Sequence, residues 1–227
     1  MISVSIARPE TVIFDFDGII VDTEPLHFEA FRAVLDRQGI TLTWEEYAGA
    51  CMGLDDRGAF SHVLRERGMT LDGRRMRELV DSKEAVFQES IRKGVRPYPG
   101  AVPTITALRA AGLPLAICSG ALRSDIVPIL ERLGIASCFP TIVAADDVRK
   151  GKPDPEPYAL AYRRLSSAHP GRCSSPANSL AVEDTPAGIR SAKLAGLSVL
   201  ALTNSFPREA LEGADYVADS LENVRIS

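Results

Sequence analysis

Cysteine is scarce in this 227-residue chain: Cys51, Cys118, Cys138 and Cys173 are its four, and no Cys-x-x-Cys pair occurs. A zinc site or redox dithiol is therefore not expected, and the spacing offers no disulfide framework. Long apolar runs are missing too. None approaches the roughly 18 residues that a membrane helix needs. The short apolar stretch before Arg8-Pro9-Glu10 has no charged segment ahead of it, so no signal peptide is expected. Positive charge is not in excess. The net charge of -4 gives no general attraction to nucleic acid or an acidic membrane, and the basic residues of Arg65 to Arg77 are interleaved with acidic ones, as on a solvated helix face. Neither the Gly-x-x-x-x-Gly-Lys-Ser/Thr loop of nucleotide binders nor the Gly-x-Ser-x-Gly elbow of esterases is found. These absences leave a reduced, soluble, cytoplasmic protein, expected as a monomer.

What is present suffices for a sizeable core: 45% hydrophobic and 25% charged residues, as in ordinary globular proteins. Short β-rich apolar runs are predicted at 11–14, 113–118, 141–144, 179–182, 198–202 and 215–217. Helical periodicity fills most of the gaps, as with Val102, Ile105 and Leu108, or Ile126, Ile129 and Leu130. Strand and helix alternating this way, with runs apolar on both faces, predicts an α/β fold whose parallel sheet is covered on both sides. The stretch 25–96 breaks the rhythm. It reads as helices over 27–38, 44–51, 56–67 and 73–91, an insertion that divides a core of 1–24 and 97–227. Arg96-Pro97-Tyr98-Pro99-Gly100 reads as a stiff return linker, and 166–177 as an exposed connector.

Ligands of parallel sheets bind beyond the carboxyl ends of the strands, so the residues ending each run carry the functional reading. The first run ends in Asp15-Phe16-Asp17-Gly18. Two carboxylates two positions apart project to one side and repel unless a cation or proton lies between them; a pair of turn caps fits them equally. The second run ends in Ser119-Gly120, a phosphoryl cradle or a plain helix N-cap. After the third come Lys150-Gly151-Lys152-Pro153-Asp154-Pro155, where Lys152 is either a fixed positive charge or a surface lysine. The fourth ends in Glu183-Asp184-Thr185-Pro186, with Thr185 as the expected N-cap. Taken together these ends are far more specific than singly. Excess carboxylates suit a hard cation such as Mg²⁺, while Ser119 and Lys152 suit phosphoryl oxygens.

In this order, Asp15-x-Asp17-Gly18, Ser119, Lys152 and Glu183-Asp184 resemble the four motifs of the haloacid dehalogenase-like superfamily. The resemblance spans about Thr11 to Val217. It implies a Rossmann-like core with a four-helix-bundle cap inserted after the first motif. It also implies Mg²⁺-dependent phosphoryl transfer rather than dehalogenation, because dehalogenases lack the second aspartate. By the same resemblance Asp15 is the nucleophile that becomes an aspartyl phosphate, and Asp17 is the general acid and base. Mg²⁺ would be held by Asp15, the Asp17 backbone carbonyl, Asp184 and Glu183, the last directly or through water.

The β-phosphoglucomutase-like branch, which contains many sugar-phosphate phosphatases, is the nearest match. Thr23 and His27 resemble its hinge residues, Gly53 and Arg57 its cap loop (with the arginine one residue late), and Lys83 its cap lysine. In the mutases the serine motif runs Ser-x-Ser-Lys-Asn, whose later residues help hold a second phosphate. Here it reads Ser119-Gly120-Ala121-Leu122-Arg123, with Arg123 offering a different phosphate contact. The expectation is thus a phosphatase of a small phosphorylated metabolite of the sugar-phosphate class, with the mutase as the alternative. A receiver-type signalling module also sets acidic pairs, Ser or Thr, and Lys at strand ends, but has the length of one small domain and no helical insertion.

Overall fold

The computed structural model describes residues 4–52 and 54–226. The chain divides into two compact units, Met1–Asp22 with Arg96–Ser227, and Thr23–Val95. In the first, the described residues form a six-stranded parallel sheet. In chain order its strands are β1 (Thr11–Phe14), β2 (Leu115–Cys118), β3 (Thr141–Val143), β4 (Ser179–Glu183), β5 (Ser198–Leu202) and β6 (Tyr216–Ala218). They lie side by side as β3-β2-β1-β4-β5-β6. The order therefore reverses between β1 and β4, and such a switch point opens a crevice at the carboxyl ends of the two strands. Register fixes what stands there: Phe14 lies opposite Ile117 on one side and Val182 on the other. Asp15 thus leaves β1 level with Cys118 and Glu183.

Two short pairings escaped the sequence reading. Val4–Ile6 runs parallel to Val224–Ile226, and Val21–Asp22 antiparallel to Arg96–Pro97. Arg96-Pro97, expected as linker, is thus paired. Runs this short carry no periodicity to detect.

The second unit holds α1 (Glu24–Asp36), α2 (Trp44–Ala50), α3 (Asp56–Glu66) and α4 (Gly73–Lys93). The starts of α2, α3 and α4 are set by side chains that accept otherwise unpaired backbone N–H groups. Thr43 and Glu46 form a capping box, Asp55 accepts from Gly58 N, and Asp72 from Arg74 N and Arg75 N. Phe28, Phe31, Leu35, Phe60, Leu64 and Leu79 belong to one apolar cluster. Within this unit Lys83 is 1% exposed. Its Nζ lies 2.7 Å from Asp56 Oδ1 and 2.8 Å from His27 Nδ1, with the rings of Phe31 and Phe87 at 5.0 and 4.9 Å.

Around the sheet lie α5 (Ala101–Ala110), α6 (Arg123–Arg132), α7 (Glu156–Ala168) and α8 (Pro186–Leu194). Tyr158, Ala161 and Leu165 of α7 and Ile189 and Ala192 of α8 pack with Ile13, Ala116 and Ala181 on one face. The alternate strand residues Val12, Phe14, Leu115, Leu180 and Val182 are equally buried, as cover on both faces requires. Each fully buried Leu, Val or Ile contributes about 1.5–3 kcal/mol. At the outer strand β3, the Ile142 carbonyl accepts from Arg123 at 2.9 Å and Arg164 at 3.0 Å, and both arginines pair with Asp147. No described helix is long and apolar enough to cross a membrane.

Candidate active site at the sheet switch point

The loops after β1 and β4 bring Asp15 and Asp184 together with Glu183, the last residue of β4. One carboxylate oxygen of each lies within 4.8 Å of the others, and all three residues are buried. The loop leading to α7 adds a cation. Lys152 Nζ stands 2.9 Å from Asp15 Oδ1 and 2.6 Å from Glu183 Oε1. That loop is fastened at both ends: Glu156 accepts from the backbone of Arg149 and Lys150, and Ser191 Oγ donates to the Asp154 carbonyl. Lys152 is therefore a fixed charge rather than a surface lysine.

Glu183 is saturated by protein donors. Its Oε1 takes Lys152 and the Tyr158 hydroxyl at 2.8 Å; its Oε2 takes Asp184 N, Thr185 N and Thr185 Oγ1. Asp184 differs. Its Oδ2 accepts from Ser205, while its Oδ1 is buried with no hydrogen-bond partner among the described residues. An orphaned, buried carboxylate oxygen is costly, and beside Asp15 it fits the hard-oxygen donor set of a divalent cation. Protonation behaviour agrees. Burial, then repulsion by Glu183, pushes the Asp15 carboxyl well above its ordinary range. The same causes push Asp184 up to about 7. For Lys152, burial alone would lower the value, but Asp15 and Glu183 more than offset it and hold the ammonium protonated.

Two glycines make room for these carboxylates. A Cβ on Gly18, whose φ is +77°, would meet Asp184 Oδ2 at 1.9 Å; one on Gly188 would meet Glu183 Oε1 at 1.9 Å. Asn204 Nδ2 donates to the Gly18 carbonyl at 2.6 Å, bracing the turn that carries Asp17. Asp17 itself is half-buried and bridges to Val21.

Ser119 follows β2 and is buried, its N–H donating to the Val143 carbonyl at 2.9 Å. Its hydroxyl accepts from Ala121 N, and α6 starts later, with Leu122 at the N-cap. The helix-cap alternative for Ser119 thus gives way to a local turn, whereas Thr185 caps α8 as expected by accepting from Gly188 N. Gly120 is exposed. Arg123 turns to Asp147 at 2.6 Å and to the Ile142 carbonyl. In the helical unit, Thr23 is buried, His27 joins Lys83, and Arg57 is exposed. Gly53 lies outside the described residues.

Sequence reasoning passed over Tyr158, Gly188, Asn204 and Ser205. The strand-end rule would have reached the last two had it been carried to the fifth run, which ends in Leu202-Thr203-Asn204-Ser205. Tyr158 gives no such signal. It reads as one more apolar position of a helix stripe.

Comparison with known proteins adds to this geometry. The profile of the haloacid dehalogenase-like hydrolases matches residues 12–202. A phosphorylated carbohydrates phosphatase of Thermotoga maritima is 30% identical over 189 residues, 83% of this chain and 82% of that protein. The crystal structure of CbbY from Rhodobacter sphaeroides in complex with phosphate superposes with a TM-score of 0.78 at 27% identity, covering 94% of this chain and 95% of that one. A mutant of CbbY in complex with xylulose-(1,5)bisphosphate gives 0.78 at 26% identity, over 94% and 95% of the two chains.

Proposed function

Because the chain belongs to the haloacid dehalogenase-like hydrolase family, we propose that it is a Mg²⁺-dependent phosphatase of small phosphorylated carbohydrates with Asp15 as its nucleophile. The carrying observation is Lys152 Nζ at 2.9 Å from Asp15, beside the orphaned oxygen of Asp184. An anion must attack an anion, and fixed positive charge in a dry site is what lowers that barrier. Mg²⁺ held by Asp15, the Asp17 carbonyl and Asp184, with Glu183 beside them, would act as a Lewis acid toward the phosphoryl oxygens.

The chain's own groups do the rest. Asp15 forms a bond to phosphorus as the ester P–O bond breaks, and Asp17 protonates the departing alkoxide. Asp17 then takes a proton from water, which attacks the aspartyl phosphate and releases inorganic phosphate and Asp15. Two of the three Lys152 donors meet Asp15 and Glu183, leaving one for a phosphoryl oxygen, with the Ser119 hydroxyl as a second donor. We assign catalysis to the segment pair 1–24 and 97–227, and substrate selection to a cap, 25–96, with His27, Gly53, Arg57 and Lys83 as its contact residues and Thr23, at the end of the first core segment, as a further one.

Hydrolysis is preferred to mutase chemistry because the segment after Ser119 lacks the hydroxyl and amide that would hold a second phosphate, and Arg123 is already ion-paired with Asp147. The test is a panel of sugar phosphates assayed for phosphate release with Mg²⁺, with EDTA as control. It includes β-glucose 1-phosphate plus glucose 1,6-bisphosphate, followed for glucose 6-phosphate. Metal-dependent phosphate release is expected. Glucose 6-phosphate formed without phosphate release would make the chain a mutase, and turnover after complete metal removal would overturn the carboxylate assignment.

A further inference from the structure

Tyr158 is fully buried at the start of α7, a few residues after Lys152. A phenol in such a place must find a hydrogen-bond partner, and this one donates to Glu183 Oε1 at 2.8 Å, the same oxygen that Lys152 reaches at 2.6 Å. Its ring also lies 5.1 Å from Lys152 Nζ, within cation–π range. Tyr158 therefore touches both members of the Glu183–Lys152 pair, one through its hydroxyl and the other through its π face. That pair poses a conflict for catalysis. Glu183 holds Lys152 in place, but a carboxylate left to itself would draw the ammonium away from Asp15.

Resting on the phosphatase reading, we infer that Tyr158 is a positioning residue. Its hydroxyl occupies part of the accepting capacity of Glu183 Oε1 and its ring backs the ammonium, so that Lys152 is shared between Glu183 and Asp15. Burial, followed by the neighbouring Glu183 charge, keeps the phenol protonated and so a donor. Its hydroxyl and ring meet Glu183 and Lys152, and its effect on Asp15 runs through Lys152.

Tyr158→Phe keeps the ring and removes only the hydroxyl. The expected result is a kcat lower by about tenfold, typical for loss of an outer partner in a polar site, with KM within about twofold and an unchanged circular dichroism spectrum. A second measurement reads Lys152 without turnover. In protein labelled with ¹⁵N at lysine Nζ, the Lys152 ammonium signal, assigned by its loss in Lys152→Met, should shift in Tyr158→Phe. A kcat within about twofold of wild type, or an unmoved Lys152 signal, overturns the inference. If wild type releases no phosphate from any sugar phosphate, the phosphatase reading falls, and the ammonium signal alone still decides the role of Tyr158.

Discussion

Lys152 and Lys83 are both lysines with little solvent access, each held by a carboxylate oxygen, at 2.6 Å from Glu183 and 2.7 Å from Asp56. Their surroundings differ in balance. Around Lys152 stand three carboxylates, Asp15, Glu183 and Asp184, against one ammonium. Around Lys83 one carboxylate matches one ammonium, and the remaining ligand, His27, stays neutral because burial and then the Lys83 charge bring its pKa down to about 3. A closed account such as the Lys83 cluster is what folding alone tolerates. The surplus of negative charge at the carboxyl ends of the strands is tolerated only if something positive arrives, and that surplus separates the two lysine sites.

Substitutions should separate the two regions sharply. Asp15→Asn is expected to lower turnover by on the order of 10⁴-fold or more while leaving the far-UV spectrum unchanged; retained phosphate release would remove Asp15 from its role. A smaller effect is expected at Gly188→Ala, where the new methyl would overlap Glu183. Overpacking of this kind typically destabilises by about 1–3 kcal/mol, seen as a lower denaturation midpoint, and displacement of Glu183 should reduce kcat as well. Gly49→Ala in α2 is the control, since nothing described beyond its own helix backbone and chain neighbours lies within 4 Å of the added carbon. The smallest effect concerns the Lys83 cluster. The folded state refuses a proton on His27 that the unfolded chain takes below about pH 6.5. Its stabilising contribution is therefore complete above about pH 6.5 and is lost progressively toward pH 3, by at most about 1.4 kcal/mol per pH unit. Urea midpoints at pH 7 and pH 5 should differ in wild type and converge in His27→Gln; an equal slope in the variant would assign the loss to other groups.

Much of this was legible in the sequence, for identifiable reasons. Strands buried on both faces leave apolar runs bounded by turn residues, so β1 and β5 were located to the residue, and of the residues read after four strands Asp15, Lys152 and Asp184 lie together. The boundary at Leu113 slipped to Leu115 because Leu113-Pro114 is apolar without joining the strand. What stayed hidden depends on partners remote in sequence. The hydrogen bonds that Glu183 accepts show only once Lys152 and Tyr158 are placed beside it, and Arg123 looks free until Asp147 and Ile142 are. The small pairings such as Val4–Ile6 with Val224–Ile226 join segments from opposite ends of the described chain.

The outer strand β3 carries a consequence for behaviour at high concentration. A bare rim of a sheet invites a neighbouring molecule to add its own backbone there. At Ile142 that invitation is withdrawn, because the carbonyl is claimed by two guanidinium groups whose charges Asp147 anchors. Replacing both arginines with leucine would uncover the carbonyl and leave an apolar fringe, and the chain would then be expected to polymerise through that rim.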